Sequence, residues 1–96
     1  MFAYHDKTAL VTGASSGIGR AFAHALAVRG GRLILLARSE ETLQSLSADL
    51  TSHHGIRAEV VVADLSTPGC ARRAFEEVER RGLTVDLLIN NAGFAS

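Results

Sequence analysis

The sequence predicts an α/β fold: a parallel sheet wound βαβαβαβ, with strand order 3-2-1-4 and helices on both faces. Three observations predict it. Four short runs rich in Val, Ile and Leu recur at residues 8–11, 33–37, 58–63 and 85–89, with the length and composition of strands buried on both faces. Three segments with apolar residues at helical spacing lie between them. The connections are short, and right-handed crossovers then make neighbouring strands parallel. The first two crossovers add strands in one direction and the third returns past the first strand.

The first helix is expected over residues 17–29, with Ile18, Ala21, Phe22, Ala25 and Leu26 on its buried face and Gly30-Gly31 as its stop. The second is expected over residues 40–52. Ser39 is its N-cap, Glu40 and Glu41 sit at the positive end of its dipole, and Leu43, Leu46 and Leu50 form its buried stripe. The third is expected over residues 68–81, capped by Thr67, with Pro68 in the first helical position and Gly82 at its end. Its core face is Ala71, Ala74, Phe75 and Val78. The pairs Arg72–Glu76, Arg73–Glu77, Glu76–Arg80 and Glu77–Arg81 line its solvent side.

Composition sets the broad class. The 96 residues are one domain's worth of chain, 1–96, and the 47% apolar and 21% charged fractions are those of a soluble globular domain. Formal net charge is zero, which gives no electrostatic attraction to nucleic acid or an anionic membrane surface. The longest strongly apolar run, residues 33–37, is far too short to span a bilayer. The N-terminal residues carry no signal-peptide core, and a single cysteine, Cys70, excludes an internal disulfide; the expected location is the cytoplasm.

The most informative segment is Thr12-Gly13-Ala14-Ser15-Ser16-Gly17-Ile18-Gly19-Arg20, directly after the first apolar run. A glycine-rich turn between a strand and a helix is a phosphate-holding device, because the helix start offers unpaired N–H groups and a partial positive charge. Gly13 allows the sharp turn, Gly17 lets backbone approach a pyrophosphate, and Gly19 lets the helix pack on the strand. No Gly-Lys-Ser/Thr follows, so this is not a Walker loop. The fold is therefore expected to be of the Rossmann type, binding a dinucleotide at the switch point between the first and fourth strands, beside Gly13 and Asn90.

Other candidate positions lie at strand ends. The second strand ends in neutral Ala37 followed by Arg38. An acid there would select the 2′-hydroxyl of NAD, whereas Arg accommodates the 2′-phosphate of NADP. Ser15, Ser39 and Arg20 are possible additional donors. Asp64 closes the third strand, followed by Leu65; the carboxylate accepts from an adenine amino group, caps the loop before Thr67, or does both. Asn90-Asn91-Ala92-Gly93 follows the fourth strand. The adjacent His53 and His54 diverge, and His5 and His24 lack ligand spacing, so all four read as solvated and no metal site is expected. Cys70 reads as a packing residue.

Together, Thr12-Gly13-Ala14-Ser15-Ser16-Gly17-Ile18-Gly19, Asp64-Leu65 and Asn90-Asn91-Ala92-Gly93 resemble the short-chain dehydrogenases/reductases in order and spacing, over nearly the whole chain. The resemblance implies that Gly13, Ser15, Ser16, Gly17, Ile18 and Gly19 surround the pyrophosphate and ribose, that Arg38 favours NADP over NAD, and that Asp64 and Leu65 flank the adenine. It implies that Asn91 braces the sheet and that Asn90, Ala92 and Gly93 run along the nicotinamide half. The family's Tyr-x-x-x-Lys pair, catalytic Ser and further Asn have no counterpart in these residues, so no catalytic residue is assigned. The expectation is the N-terminal, NADP(H)-binding part of an oxidoreductase acting on a carbonyl/alcohol substrate. The alternative is a non-catalytic dinucleotide-binding or regulatory module. An open fourth strand is expected to be covered by a copy of the chain or by a C-terminal part.

Overall fold

In the computed structural model, residues 6–91 are described. The elements run β1 (Thr8–Thr12), α1 (Gly17–Val28), β2 (Arg32–Ala37), α2 (Glu40–His54), β3 (Ala58–Val62), α3 (Cys70–Arg80) and β4 (Leu87–Ile89). The sheet is parallel with order β3-β2-β1-β4, as the crossover argument requires. β1 and β2 are buried on both faces, while β3 and β4 are only partly covered.

Two apolar clusters sandwich the sheet. One joins Ala9, Val11, Leu33 and Leu35 to α1 and to Leu43, Leu46 and Leu50 of α2. The other joins Leu10, Ile34, Leu36 and Val61 to Ala74 and Val78 of α3. Alternate residues of each strand serve opposite clusters, which is the period-2 signature of a sheet covered on both sides.

The α2 boundary follows its cap: Ser39 Oγ accepts from the Thr42 N–H at 3.3 Å. The helix continues two residues past the expected end, to His54, and stops at a left-handed Gly55. The other helices depart further from expectation. α1 buries Gly19, Ala23, Leu26 and Ala27, whereas Ile18 and Phe22 are 65% and 45% exposed and Ala21 and Ala25 face solvent. Of the expected face Leu26 alone is buried; the stripe at i, i+4, i+7 and i+8, small but for Leu26, lets the helix lie close on the sheet.

α3 is not capped by Thr67. Residues 64–67 form a turn, with the Thr67 N–H donating to Asp64 O at 3.0 Å and the Cys70 N–H to Thr67 O at 3.0 Å. Pro68 therefore lies outside the helix. Gly69 precedes it with φ of 79°, a conformation disfavoured for residues with a Cβ, and supplies no side-chain cap. Ala74 and Val78 face the core as expected, but Ala71 and Phe75 are exposed. Of the four expected i,i+4 ion pairs, Glu77–Arg81 forms, at 2.7 Å, joined by Arg80 from i+3. β4 begins at Leu87 rather than 85: Val85 packs into the second cluster and Asp86 joins β1 through its N–H to Thr8 O and its carboxylate to the Thr8 N–H.

The two sheet edges differ. Outward carbonyls of β3 alternate along the strand. Ser47 Oγ donates to Ala58 O at 2.7 Å and Arg81 Nη1 to Val60 O at 2.9 Å. Side chains from α2 and α3 thus occupy two acceptors of that edge, which discourages strand addition. Among the described residues nothing equivalent guards β4, where Leu88 is 49% exposed. No helix among the described residues is long and apolar enough to cross a membrane.

Two outcomes follow. Leu35→Ala should cost about 2–5 kcal/mol of stability, while Ile18→Ala should change it by less than about 0.5 kcal/mol, as read by urea denaturation. The Arg81 guanidinium donates to Glu77 and, with the Arg80 charge nearby, holds its carboxyl below the ordinary value of 4.5. A lowered native pKa stabilises the fold above the ordinary value and loses that stabilisation as pH falls through the native one. Glu77→Gln should therefore flatten the decline of stability below about pH 4.5 without changing its slope near neutrality, as followed by melting temperature against pH.

Candidate functional site

The strand-to-helix turn after β1 closes on one carbonyl. Gly13 takes φ of 63°, in the left-handed region that favours glycine. Its carbonyl accepts from the Ser16 N–H at 3.0 Å, from Ser16 Oγ at 2.8 Å and from Asn91 Nδ2 at 3.5 Å. Ser16 is the N-cap of α1, accepting from the Gly19 N–H at 3.2 Å. A Cβ on Gly19 would lie 2.2 Å from Gly13 O and 2.9 Å from Asn91 Nδ2, so only glycine fits there.

Gly17 is different. A Cβ built on it meets no atom within 4 Å. The Ser15, Gly17 and Ile18 N–H groups have no acceptor among the described residues, as expected at a helix start. The side chains of Ser15 and Ile18 are exposed beside them. The turn thus has a tight inner side, built on Gly13 and Gly19, and an open outer side carrying free donors. Those donors and the positive end of α1 suit an anion.

The end of β4 docks onto the same turn. Thr12, the buried polar residue at the end of β1, is 3% exposed. Its hydroxyl accepts from the Asn91 N–H at 2.7 Å and donates to Asn90 Oδ1 at 3.0 Å. Asn91 Nδ2 donates to Ser16 Oγ at 2.8 Å. The spacing analysis treated Thr12 only as the start of the glycine motif. Its signal was a hydroxyl directly after the apolar run Ala9-Leu10-Val11, since a buried hydroxyl needs partners. Ala92 and Gly93 lie outside the described residues.

Arg38 and Asp64 stand at the adjacent ends of β2 and β3. Asp64 Oδ1 accepts from the Ser66 hydroxyl at 2.6 Å and the Ser66 N–H at 3.0 Å. These bonds, with the Arg38 charge nearby, hold its carboxyl below the ordinary aspartate value. The loop-capping reading of Asp64 is therefore realised, through Oδ1. Leu65 is partly buried against the second cluster. Arg38 itself is exposed.

Two possible extra donors are otherwise engaged. Arg20 Nη2 lies 3.5 Å from Asp49 of α2, and the Ser39 hydroxyl donates to Thr42 Oγ1 while capping α2. The histidines are less scattered than expected: His24 and His54 meet edge to face across α1 and α2 with ring centroids 6.0 Å apart. No group of three metal-ligating side chains forms among the described residues. A groove of about 550 Å³ runs along the β3 edge between α2 and α3, away from the glycine turn. Its Arg80 and Arg81 are already paired with Glu77, and the free backbone donors lie at the turn instead.

The comparisons agree with this geometry. The short chain dehydrogenase family model matches residues 7–96. A very-long-chain 3-oxoacyl-CoA reductase from Anas platyrhynchos is 36% identical over 89 residues, 91% of this chain and 28% of that protein. The crystal structure of L-sorbose reductase from Gluconobacter frateurii, complexed with NADPH and L-sorbose, superposes with a TM-score of 0.87 at 35% identity, covering 95% of this chain and 35% of that one. A short-chain dehydrogenase from Sphingobium yanoikuyae in complex with NADPH gives a TM-score of 0.80 at 42% identity, covering 91% and 34%. The chain spans about a third of the length of these relatives. The sequence match over residues 7–96 and the shared parallel sheet, with its glycine turn locked to β4, place this chain in the short-chain dehydrogenase family.

Proposed function

We propose that this chain is the NADP(H)-binding part of a short-chain oxidoreductase that moves hydride between a nicotinamide cofactor and a carbonyl/alcohol substrate. The observation that carries the reading is the open side of the glycine turn. Gly17 has empty space where a side chain would project, next to N–H groups without acceptors. A pyrophosphate fits that combination: it needs donors and close backbone approach. The cofactor, when bound, supplies the hydride chemistry; the residues of this chain bind and orient it.

Ser15 and the N–H groups of residues 17 and 18 hold the pyrophosphate, and Gly13 shapes the turn that presents them. Ile18 offers its exposed side chain to the ribose side. Arg38, beside neutral Ala37, takes the 2′-phosphate, and the two NADPH-bound relatives support this preference over NAD. Leu65, with the backbone around Asp64, borders the adenine. Asn90, Ala92 and Gly93 extend along the nicotinamide half. Substrate contacts and the proton-transferring residues belong to the rest of the enzyme. The single free cysteine, Cys70, suits a reducing compartment such as the cytoplasm. The β4 edge, which no side chain guards among the described residues, takes a further strand, from a longer polypeptide or from a second copy.

Fluorescence titration with NADPH and NADH tests the reading. NADPH should bind more tightly, and absence of binding by either would overturn it. Gly17→Ala should weaken both nucleotides by about tenfold or more while leaving the melting temperature nearly unchanged. Gly19→Ala should instead lower the melting temperature, because its Cβ meets backbone. Arg38→Ala should cost NADPH about 10- to 100-fold and NADH little, and Ala37→Asp should invert the preference. Equal losses for both nucleotides would remove the 2′-phosphate assignment.

A further inference from the structure

A serine hydroxyl has one proton to donate and two lone pairs to accept with. At Ser16 all three are used within the chain. Oγ donates to Gly13 O at 2.8 Å, accepts from the Gly19 N–H at 3.2 Å and accepts from Asn91 Nδ2 at 2.8 Å. A phosphate oxygen is an acceptor and needs a donor, so this hydroxyl has nothing left to offer it. The sequence places Ser16 among the cofactor ligands; its hydrogen bonds place it elsewhere.

We infer that Ser16 is a positioning residue that latches the glycine-rich turn to the end of β4 through Asn91. The inference rests on the dinucleotide reading above for its functional consequence, though the latch itself does not. Ser16 and Asn91 are 75 positions apart in the chain. Asn91 also ties back to β1, because its N–H donates to Thr12 Oγ1, and its side-chain amide reaches Gly13 O. One serine therefore couples three things: the cap of α1, the turn carbonyl and the β4 terminus. The direction in which the N–H groups of residues 17 and 18 point is set by that coupling. Ser15, whose exposed hydroxyl has no partner among the described residues, is left as the serine that meets the ligand.

The latch acts on the pyrophosphate cradle and not on the 2′-position, which Arg38 serves at the ends of β2 and β3. Its loss should then weaken NADPH and NADH by one common factor. A direct ligand of the 2′-phosphate would instead discriminate between them.

The experiment uses the whole 96-residue chain. Hydrogen exchange of the Gly19 amide is measured by NMR without nucleotide, and NADPH and NADH are titrated separately. Ser16→Ala should speed Gly19 exchange and weaken both nucleotides by about tenfold, leaving their ratio unchanged. Ser16→Thr, which keeps a hydroxyl, should restore both readouts. Ser16→Ala combined with Asn91→Ala should be no worse than the sum of their effects minus the shared latch, a clear shortfall from additivity. A selective loss of NADPH, or fully additive losses, would overturn the inference. If neither nucleotide binds the unmodified chain, the dinucleotide reading fails, while Gly19 exchange in the two single variants and the double variant still decides the latch. Should Ser16→Ala not fold, Asn91→Ala alone must speed Gly19 exchange, and unchanged exchange there would equally overturn it.

Discussion

The contact between Gly19 and the Gly13 carbonyl governs the rest of this structure. A Cβ on Gly19 would sit 2.2 Å from that oxygen, so the first turn of α1 lies directly on the end of β1. A helix held that closely has no freedom to rotate about its axis. Gly19 is fixed inward, and Ala23, Leu26 and Ala27 follow it into the core by helical geometry. Ile18 and Phe22 are therefore turned outward, despite their greater apolar area. Backbone proximity outweighs side-chain burial here because no rotamer change can relieve a clash with a carbonyl. The same contact aims the free N–H groups at the helix start away from the sheet.

Much of the fold was legible in the sequence, for reasons that can be named. Four strands in the order 3-2-1-4 followed from apolar runs, short connections and crossover handedness, which act over the whole chain and tolerate local error. Ser39 worked as a cap because its side chain competes only with solvent there. Thr67 failed as a cap because Asp64 and Ser66 had already built a turn across residues 64–67, leaving Gly69 to start α3. A periodicity argument weighs each candidate cap alone and does not include this local competition. The α1 face failed differently: two apolar stripes were available, and the choice between them lay in a contact with a residue outside the helix.

The site shows the same division. The glycine positions were readable because each one answers a constraint of the turn itself. Partners far apart in sequence were not. The resemblance gives Asn91 a bracing role, but nothing in the spacing names its partners Ser16 and Thr12, whose bonds join β1, α1 and β4 at one point. The pairing of His24 with His54 was likewise invisible, because it depends on the crossing of α1 and α2. Residues that look interchangeable in a motif separate once their hydrogen-bond capacity is counted. Ser15 and Ser16 are exposed neighbours of one type, but only the hydroxyl of Ser16 is fully engaged in hydrogen bonds within the chain.

The two edges of the sheet extend this argument from the site to the whole unit. Ser47 and Arg81 occupy outward carbonyls of β3, and Arg81 is itself anchored by Glu77. That edge is finished, since a strand approaching it would have to displace side chains bonded from both flanking helices. β4 has its last residues tied inward to β1 and the glycine turn, and Leu88, in register with Leu10 on the α3 face, is half-exposed. Among the described residues, guarding therefore stands at the edge remote from the turn, and the edge without it stands beside the turn. A strand added to β4 would cover apolar surface next to the free donors of α1. The sheet edge left open and the open side of the glycine turn thus meet at the end of β4 that Asn91 fixes.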